Sequence, residues 1–206
     1  MKKGLFITVE GPDGSGKSTQ INKLKEYFEE KGISVLLTRE PGGTAISEKI
    51  REIILDKNNK DMDDMTETLL YAASRAQLVA QVIKPALERG ETVICDRFLD
   101  SSIAYQGYGR GLGDSVKVIN EYAVCGCMPD LTLLMKVDPE ASRNRIKPAE
   151  FDRLEQEKMD FHRRVYEGYL ALEKTESRII GIDAARGIDE IAADILMHVQ
   201  RVLESK

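Results

Sequence analysis

The chain has 206 residues, 42 % of them hydrophobic and 32 % charged, enough for one sizeable α/β core with a small insert but not for a second full domain. A net charge of −5 argues against a general nucleic-acid-binding surface, and no leader or long apolar span is visible, so the expected protein is cytoplasmic, with small-molecule partners, no nucleic acid and no membrane. Three cysteines are an odd number for a disulfide framework, and two histidines are too few to complete a metal cluster with them, so the cysteines read as thiols of a reducing compartment.

Residues 5–10 read as a buried strand, and Ile21, Leu24 and Phe28 then recur at helical spacing until Gly32. Between them Gly11-Pro12-Asp13-Gly14-Ser15-Gly16-Lys17-Ser18 fits the phosphate-binding pattern G-x-x-x-x-G-K-[ST], in the strand–loop–helix context that the pattern requires. Its glycines permit turns in which successive N–H groups point at phosphate oxygens beside a helix N-terminus. Lys17 is expected to reach the β- and γ-phosphates of a nucleoside triphosphate, and the Ser18 hydroxyl to ligate Mg²⁺.

Further apolar runs at 33–37, 92–95, 131–137 and 178–182 predict four more strands. Helical patterns cover 44–56, 65–89, 114–126, 138–147, 151–176 and 188–204, while 98–113 and 148–152 lack regular periodicity and read as loops, either functional or disordered. This alternation predicts a parallel sheet with helices on both faces and ligands at the carboxyl ends of the strands.

A phosphate-binding loop alone serves GTPases, motors and kinases, so other residues must choose among them. The strand 92–95 runs into Asp96-Arg97-Phe98. Asp96 suits the organisation of Mg²⁺ and its waters, and Arg97 offers the planar clamp that two mutually repelling phosphorylated substrates need. The guanine-reading motif Asn-Lys-x-Asp is not supplied by residues 57–61. Tyr71 and Arg75 lie four residues apart, hence on one helical face, an arrangement that suits a planar base with carbonyl acceptors.

These features lead to a resemblance. Residues 10–19, Thr38-Arg39-Glu40-Pro41-Gly42-Gly43-Thr44, residues 71–75, the long stretch from Asp96 to Gly107, Pro129-Asp130-Leu131-Thr132-Leu133 and Asp152-Arg153-Leu154-Glu155-Gln156 match, in order, the motifs of bacterial thymidylate kinases. The resemblance implies a nucleoside-monophosphate-kinase fold in one domain over residues 1–206, with sheet order 2-3-1-4-5 and a short lid near 142–154. It implies transfer of one phosphoryl group from ATP to dTMP with Mg²⁺, and a homodimer.

By matching position, residues 11–19, including Thr19, bind ATP, with Ser18 and, through water, Asp96 at the metal. Tyr71 stacks on thymine, Arg75 reads its edge, and Ser102 and Gln106 complete the base pocket. Tyr105 screens against a ribose 2′-hydroxyl, and Asp13 lies near the deoxyribose and acceptor phosphate. Arg97, Arg51 and Arg39 are candidates for the acceptor phosphate, with Glu40 in the pocket wall. Since residues 13–16 contain no arginine, the resemblance assigns the mobile catalytic arginine to the lid, where Arg153 fits best and Arg143, Arg145 and Lys147 are further candidates. Two other readings stay open at this level: a deoxynucleoside kinase using Glu40 as base, and a nucleotide switch with negligible phosphoryl transfer.

Overall fold

The computed structural model describes residues 4–147 and 151–205. Its strands β1 (Phe6–Glu10), β2 (Val35–Arg39), β3 (Thr92–Asp96), β4 (Leu131–Lys136) and β5 (Ile179–Asp183) form one sheet in the order β2-β3-β1-β4-β5, the order expected. Every pairing is parallel, with Phe6 opposite Val93 on one side of β1 and Ile7 opposite Leu131 on the other.

Helices cover both faces, so the strands carry apolar side chains in both directions. Ile7, Val9, Leu133 and Met135 meet Leu24 and Phe28 of α1 (Lys17–Glu30) and Ile195 and Val199 of α9 (Ile188–Ser205). The intervening residues point the other way: Phe6, Val93 and Cys95 pack with Leu78, Ile83 and Leu87, and Leu134 packs with Phe161, Val165 and Tyr169 of α8 (Met159–Thr175). The remaining helices are α2 (Ala45–Leu55), α3 (Asp64–Leu78), α4 (Lys84–Glu88), α5 (Leu99–Ser102), α6 (Asp114–Val124) and α7 (Pro139–Arg143).

Several boundaries differ from the sequence expectation, each for a local reason. The helix expected over 65–89 is interrupted by a π-helical turn, Val79–Ile83, just before Pro85, which has no N–H to continue the ladder. Residues 98–113, expected as a loop, contain α5 and a second π-helical stretch, Ile103–Gly109. Its wider hydrogen-bond spacing abolishes the 3.6-residue period, and Gly109 admits α8: a Cβ there would lie 2.7 Å from the Phe161 ring. The helix expected over 151–176 is regular only from Met159. Before it, the Asp152 carboxylate accepts from the N–H groups of Leu154 and Glu155, while Glu155 accepts from that of Asp152, which closes a turn. The expected lid, 142–154, includes residues 148–150, which lie outside the described residues, as does most of the expected loop 148–152.

β1 sits where the strand order reverses, so the loops leaving β1 and β3 diverge around a crevice at their carboxyl ends. The glycine-rich loop and Arg97 both begin there.

Candidate active site

The loop after β1 wraps over the start of α1. Gly14 is held at φ 76°, and a Cβ on it would lie 2.3 Å from the Ser142 carbonyl oxygen, so the residue must be glycine for the loop to lie against the α7 segment. Lys17 is almost fully buried; its ammonium donates to the carbonyls of Gly11 (3.1 Å) and Pro12 (2.9 Å) and lies 3.6 Å from Asp13. Burial, and then the nearby Arg97, lower its pKa.

Arg97 is a non-glycine residue at φ 65°, a conformation that persists only when its surroundings over-determine it. Those surroundings are explicit. Fully buried Glu10, at the end of β1, accepts from the Phe98 N–H (2.7 Å), the Ser101 hydroxyl (2.5 Å) and the Tyr169 hydroxyl (3.1 Å), pinning the turn on either side of α5's first residue. The Arg97 guanidinium then reaches Asp13 (2.9 Å), Ser101 (3.2 Å) and Tyr169 (3.2 Å), and lies over the Tyr105 ring. Burial, and secondarily the buried Asp100 carboxylate, raise the Glu10 carboxyl to about 7. Asp100 is in turn clamped by both guanidinium nitrogens of Arg178, at 2.6 and 2.7 Å. Glu10, Asp100 and Tyr169 were not singled out by the sequence; only the apolar neighbours of Glu10 on a buried strand hint at a buried carboxylate.

Two cavities meet at this arginine. One, of about 440 Å³, is lined by Lys17, Ser18, Thr19, Asp96 and Arg145. The other, of about 310 Å³, is lined by Tyr71, Arg75, Ser102, Tyr105 and Gln106, with Asp152, Leu154 and Glu155 on the far wall. Asp13, Glu40, Arg51 and Arg97 line both. Pro12 borders a smaller neighbouring cavity, and the buried Ser15 hydroxyl has no hydrogen-bond partner among the described residues. Arg39 also lines the 440 Å³ cavity, exposed and tied in a two-pronged ion pair to Glu48.

In the 310 Å³ cavity Arg75 is 1 % exposed. Its guanidinium donates to Ser102 (3.1 Å), the Phe98 carbonyl (3.0 Å) and Asn120, and pairs with buried Glu40 at 2.6 Å. The Arg75 Nε–H is buried without a partner, leaving one donor in a residue that lines the cavity. Burial raises the Glu40 carboxyl to about 7 against the pull of Arg75.

Of the lid candidates, Arg145 donates to the Gly14 carbonyl (3.2 Å) on the phosphate-binding loop, whereas Arg143 turns back to the Glu157 carbonyl (2.9 Å). Arg153, the residue favoured from sequence, does not reach the phosphate-binding loop in this arrangement. It donates to the Ile54 carbonyl (2.8 Å) and to Glu67 (2.6 Å). Glu67 is fully buried, and a carboxylate there requires cationic partners, which holds the guanidinium in place. Lys147 is exposed.

The Mg²⁺ expected from the sequence finds suitable chemistry: Asp96 Oδ1 is a buried carboxylate oxygen without a hydrogen-bond partner among the described residues, and Asp96 lines the cavity that Ser18 also lines.

This fold and site define a phosphate-loop kinase whose acceptor is itself a small phosphorylated molecule. The thymidylate kinase family model matches residues 9–195. Similar chains include thymidylate kinases of Clostridium novyi, 50 % identical over 95 % of this chain and 98 % of the relative, and of a Geobacillus species, 48 % identical over 99 % and 100 %. A crystal structure of thymidylate kinase from Ehrlichia chaffeensis is 34 % identical, covers 96 % of this chain and 99 % of its own, and superposes with a TM-score of 0.79. The chain belongs to the thymidylate kinase family.

Proposed function

We propose that the protein transfers the γ-phosphoryl group of ATP to dTMP, giving ADP and dTDP. The observation that carries this reading is the pair of cavities sharing Asp13, Arg51 and Arg97: a donor site on the phosphate-binding loop and an acceptor site meet at two guanidiniums. Phosphoryl transfer needs alignment and charge neutralisation more than bond-making groups, and the attacking oxygen of dTMP is already an anion. No general base is required.

On the donor side residues 11–19 cradle the triphosphate. Lys17 leaves its own loop carbonyls for the β- and γ-phosphates, and Mg²⁺ on Ser18 and, through water, Asp96 supplies further charge neutralisation. On the acceptor side Tyr71 stacks on thymine, the Arg75 guanidinium donates to its edge, and Ser102 supports Arg75. Arg97 and Arg51 bind the phosphate, Asp13 orients Arg97 and the sugar, and the Tyr105 ring leaves no room for a 2′-hydroxyl. The described parts of the lid lie on both sides. Arg145 lies against the donor loop, while Arg153 flanks Asp152 and Leu154 of the acceptor wall and joins the transferring group by exchanging Glu67 for a phosphate.

A homodimer is supported by exposed apolar side chains on three adjoining helices, Ile46 and Ile53 of α2, Leu69 of α3, and Val118 and Tyr122 of α6. Among the described residues no helix is long and apolar enough to cross a membrane, which is compatible with a cytoplasmic enzyme. An end-point assay offering ATP, Mg²⁺ and each nucleoside monophosphate in turn tests the assignment. ADP formation is expected with dTMP far above the ribonucleotide, and equal specificity constants for those two would overturn it.

A further inference from the structure

Fully buried Glu67 sits on α3 one turn before Tyr71 and two turns before Arg75, on the face that carries the base-side residues. Its carboxylate offers only acceptors and receives three donors besides Arg153: the Gln106 amide nitrogen (2.9 Å) and two guanidinium nitrogens of Arg110 (3.0 and 3.3 Å). An isolated glutamine amide is ambiguous, because its oxygen and nitrogen ends exchange by a flip of the side chain. Opposite a carboxylate the ambiguity disappears. The NH₂ end must face Glu67, and the oxygen is the end left for the cavity that Gln106 lines.

We propose that Glu67 is a positioning residue that sets base specificity by fixing the Gln106 amide, a reading that rests on the acceptor being a pyrimidine monophosphate. With the amide locked, Gln106 leaves an acceptor, Oε1, for the cavity, beside the buried guanidinium of Arg75, a donor group that lines the same cavity. Thymine offers the complement, an N3–H donor beside an O4 acceptor. Cytosine offers the inverse, an N3 acceptor beside an amino donor, and so meets like against like at both positions. A site built around a hydrogen-bond pattern rejects the inverted pattern because buried polar groups are left unpaired. The same carboxylate holds Arg110, which also pairs with Glu157 (2.5 Å), so the lock is anchored to the segment that follows the lid.

The test is the ratio of kcat/KM for dTMP to that for dCMP. Glu67→Gln places a second flippable amide opposite Gln106 and allows both orientations. The ratio is expected to fall about tenfold or more, through a raised KM for dTMP and a lowered one for dCMP, with the KM for ATP little changed. In a Gln106→Ala background the same Glu67 substitution is expected to leave the ratio unchanged, since the group it acts through is gone. A ratio that stays within twofold of wild type in folded Glu67→Gln, or one that falls equally with and without Gln106, overturns the proposal. If Glu67→Gln does not fold, Glu67→Asp keeps the charge for Arg110 and Arg153 but withdraws the carboxylate from Gln106. Its ratio is then expected to fall while stability is retained, and an unchanged ratio refutes the lock. Wild-type turnover of dTMP tests the pyrimidine-monophosphate reading separately from these variants.

Discussion

Around the shared arginines, the proposed donor half of the site holds its charges on exchangeable partners: Lys17 on the carbonyls of its own loop, Arg97 on a half-exposed Asp13. The base half is arranged in the opposite way, with Arg75 and Glu67 deep in the protein and engaged by Glu40, Asn120, Ser102, Phe98, Arg110, Gln106 and Arg153. A donor site must release ADP in each cycle and grip a charge that moves, so exchangeable contacts suit it. A site that discriminates one base from another gains from donors and acceptors fixed in advance. The two halves therefore respond differently to substitution: the donor side loses rate while the fold survives, and the base side loses stability along with affinity.

Arg97→Ala gives the largest expected effect. It removes a guanidinium shared by both cavities, and kcat/KM is expected to fall about 10³-fold or more, with Arg97→Lys failing to restore it because the planar fork is lost. The melting temperature should stay close to that of the wild type, since φ 65° costs alanine strain but no buried carboxylate loses its only partner; a large loss of stability would break the contrast between the halves.

Arg75→Ala is expected to do the reverse. Glu40 would be left buried and unpaired, a loss of about 3–5 kcal/mol of folding stability measurable by denaturant titration, together with about 1.5–3 kcal/mol of dTMP binding while ATP affinity is retained. An unchanged dTMP dissociation constant in the folded variant would put Arg75 outside the base site.

The lid arginines sharpen the comparison because they stand on opposite sides of it. Arg153→Ala is expected to slow the transfer step in single-turnover assays by about 10²-fold, Arg145→Ala by less, and the double variant by more than either. The opposite order would assign the principal charge to Arg145, which already touches the donor loop.

The smallest effect is a pH dependence. Glu10, which props the turn carrying Arg97, is raised from 4.5 to about 7. Between those values the folded protein retains a proton that the unfolded chain has released, so this residue makes stability fall as pH rises from about 4.5, and its penalty is fully developed only above about 7. Glu10→Gln should make that slope shallower in denaturant titrations between pH 5 and 8. An identical slope would mean that the other buried carboxyls, Glu40 among them, carry it.

How much of this could be read from the chain depends on how far apart in sequence the interacting groups lie. Five strands, their order through the family motifs, and the loop from Gly11 to Ser18 follow from local rules: glycine freedom, helical spacing, and a lysine at the first position of a helix. The pairing of Tyr71 with Arg75 also follows, since four residues on a helix determine a face. The π-helical stretches were not legible, because hydrophobic periodicity has no signature for one added residue per turn, and neither was the turn at Asp152, which rests on side-chain caps. Nor was the support of the site. Glu10 acts on Phe98 and Ser101 across 88 and 91 residues, Glu67 on Gln106 across 39 and on Arg153 across 86, and Arg178 on Asp100 across 78. By itself the sequence picked out the candidate phosphate and base groups, because those groups are chemically distinctive and come in short motifs. The tertiary structure alone decided which carboxylates hold them and in which orientation, because a glutamate that is buried and satisfied looks in sequence like any other glutamate until the fold brings its cations and amides to it.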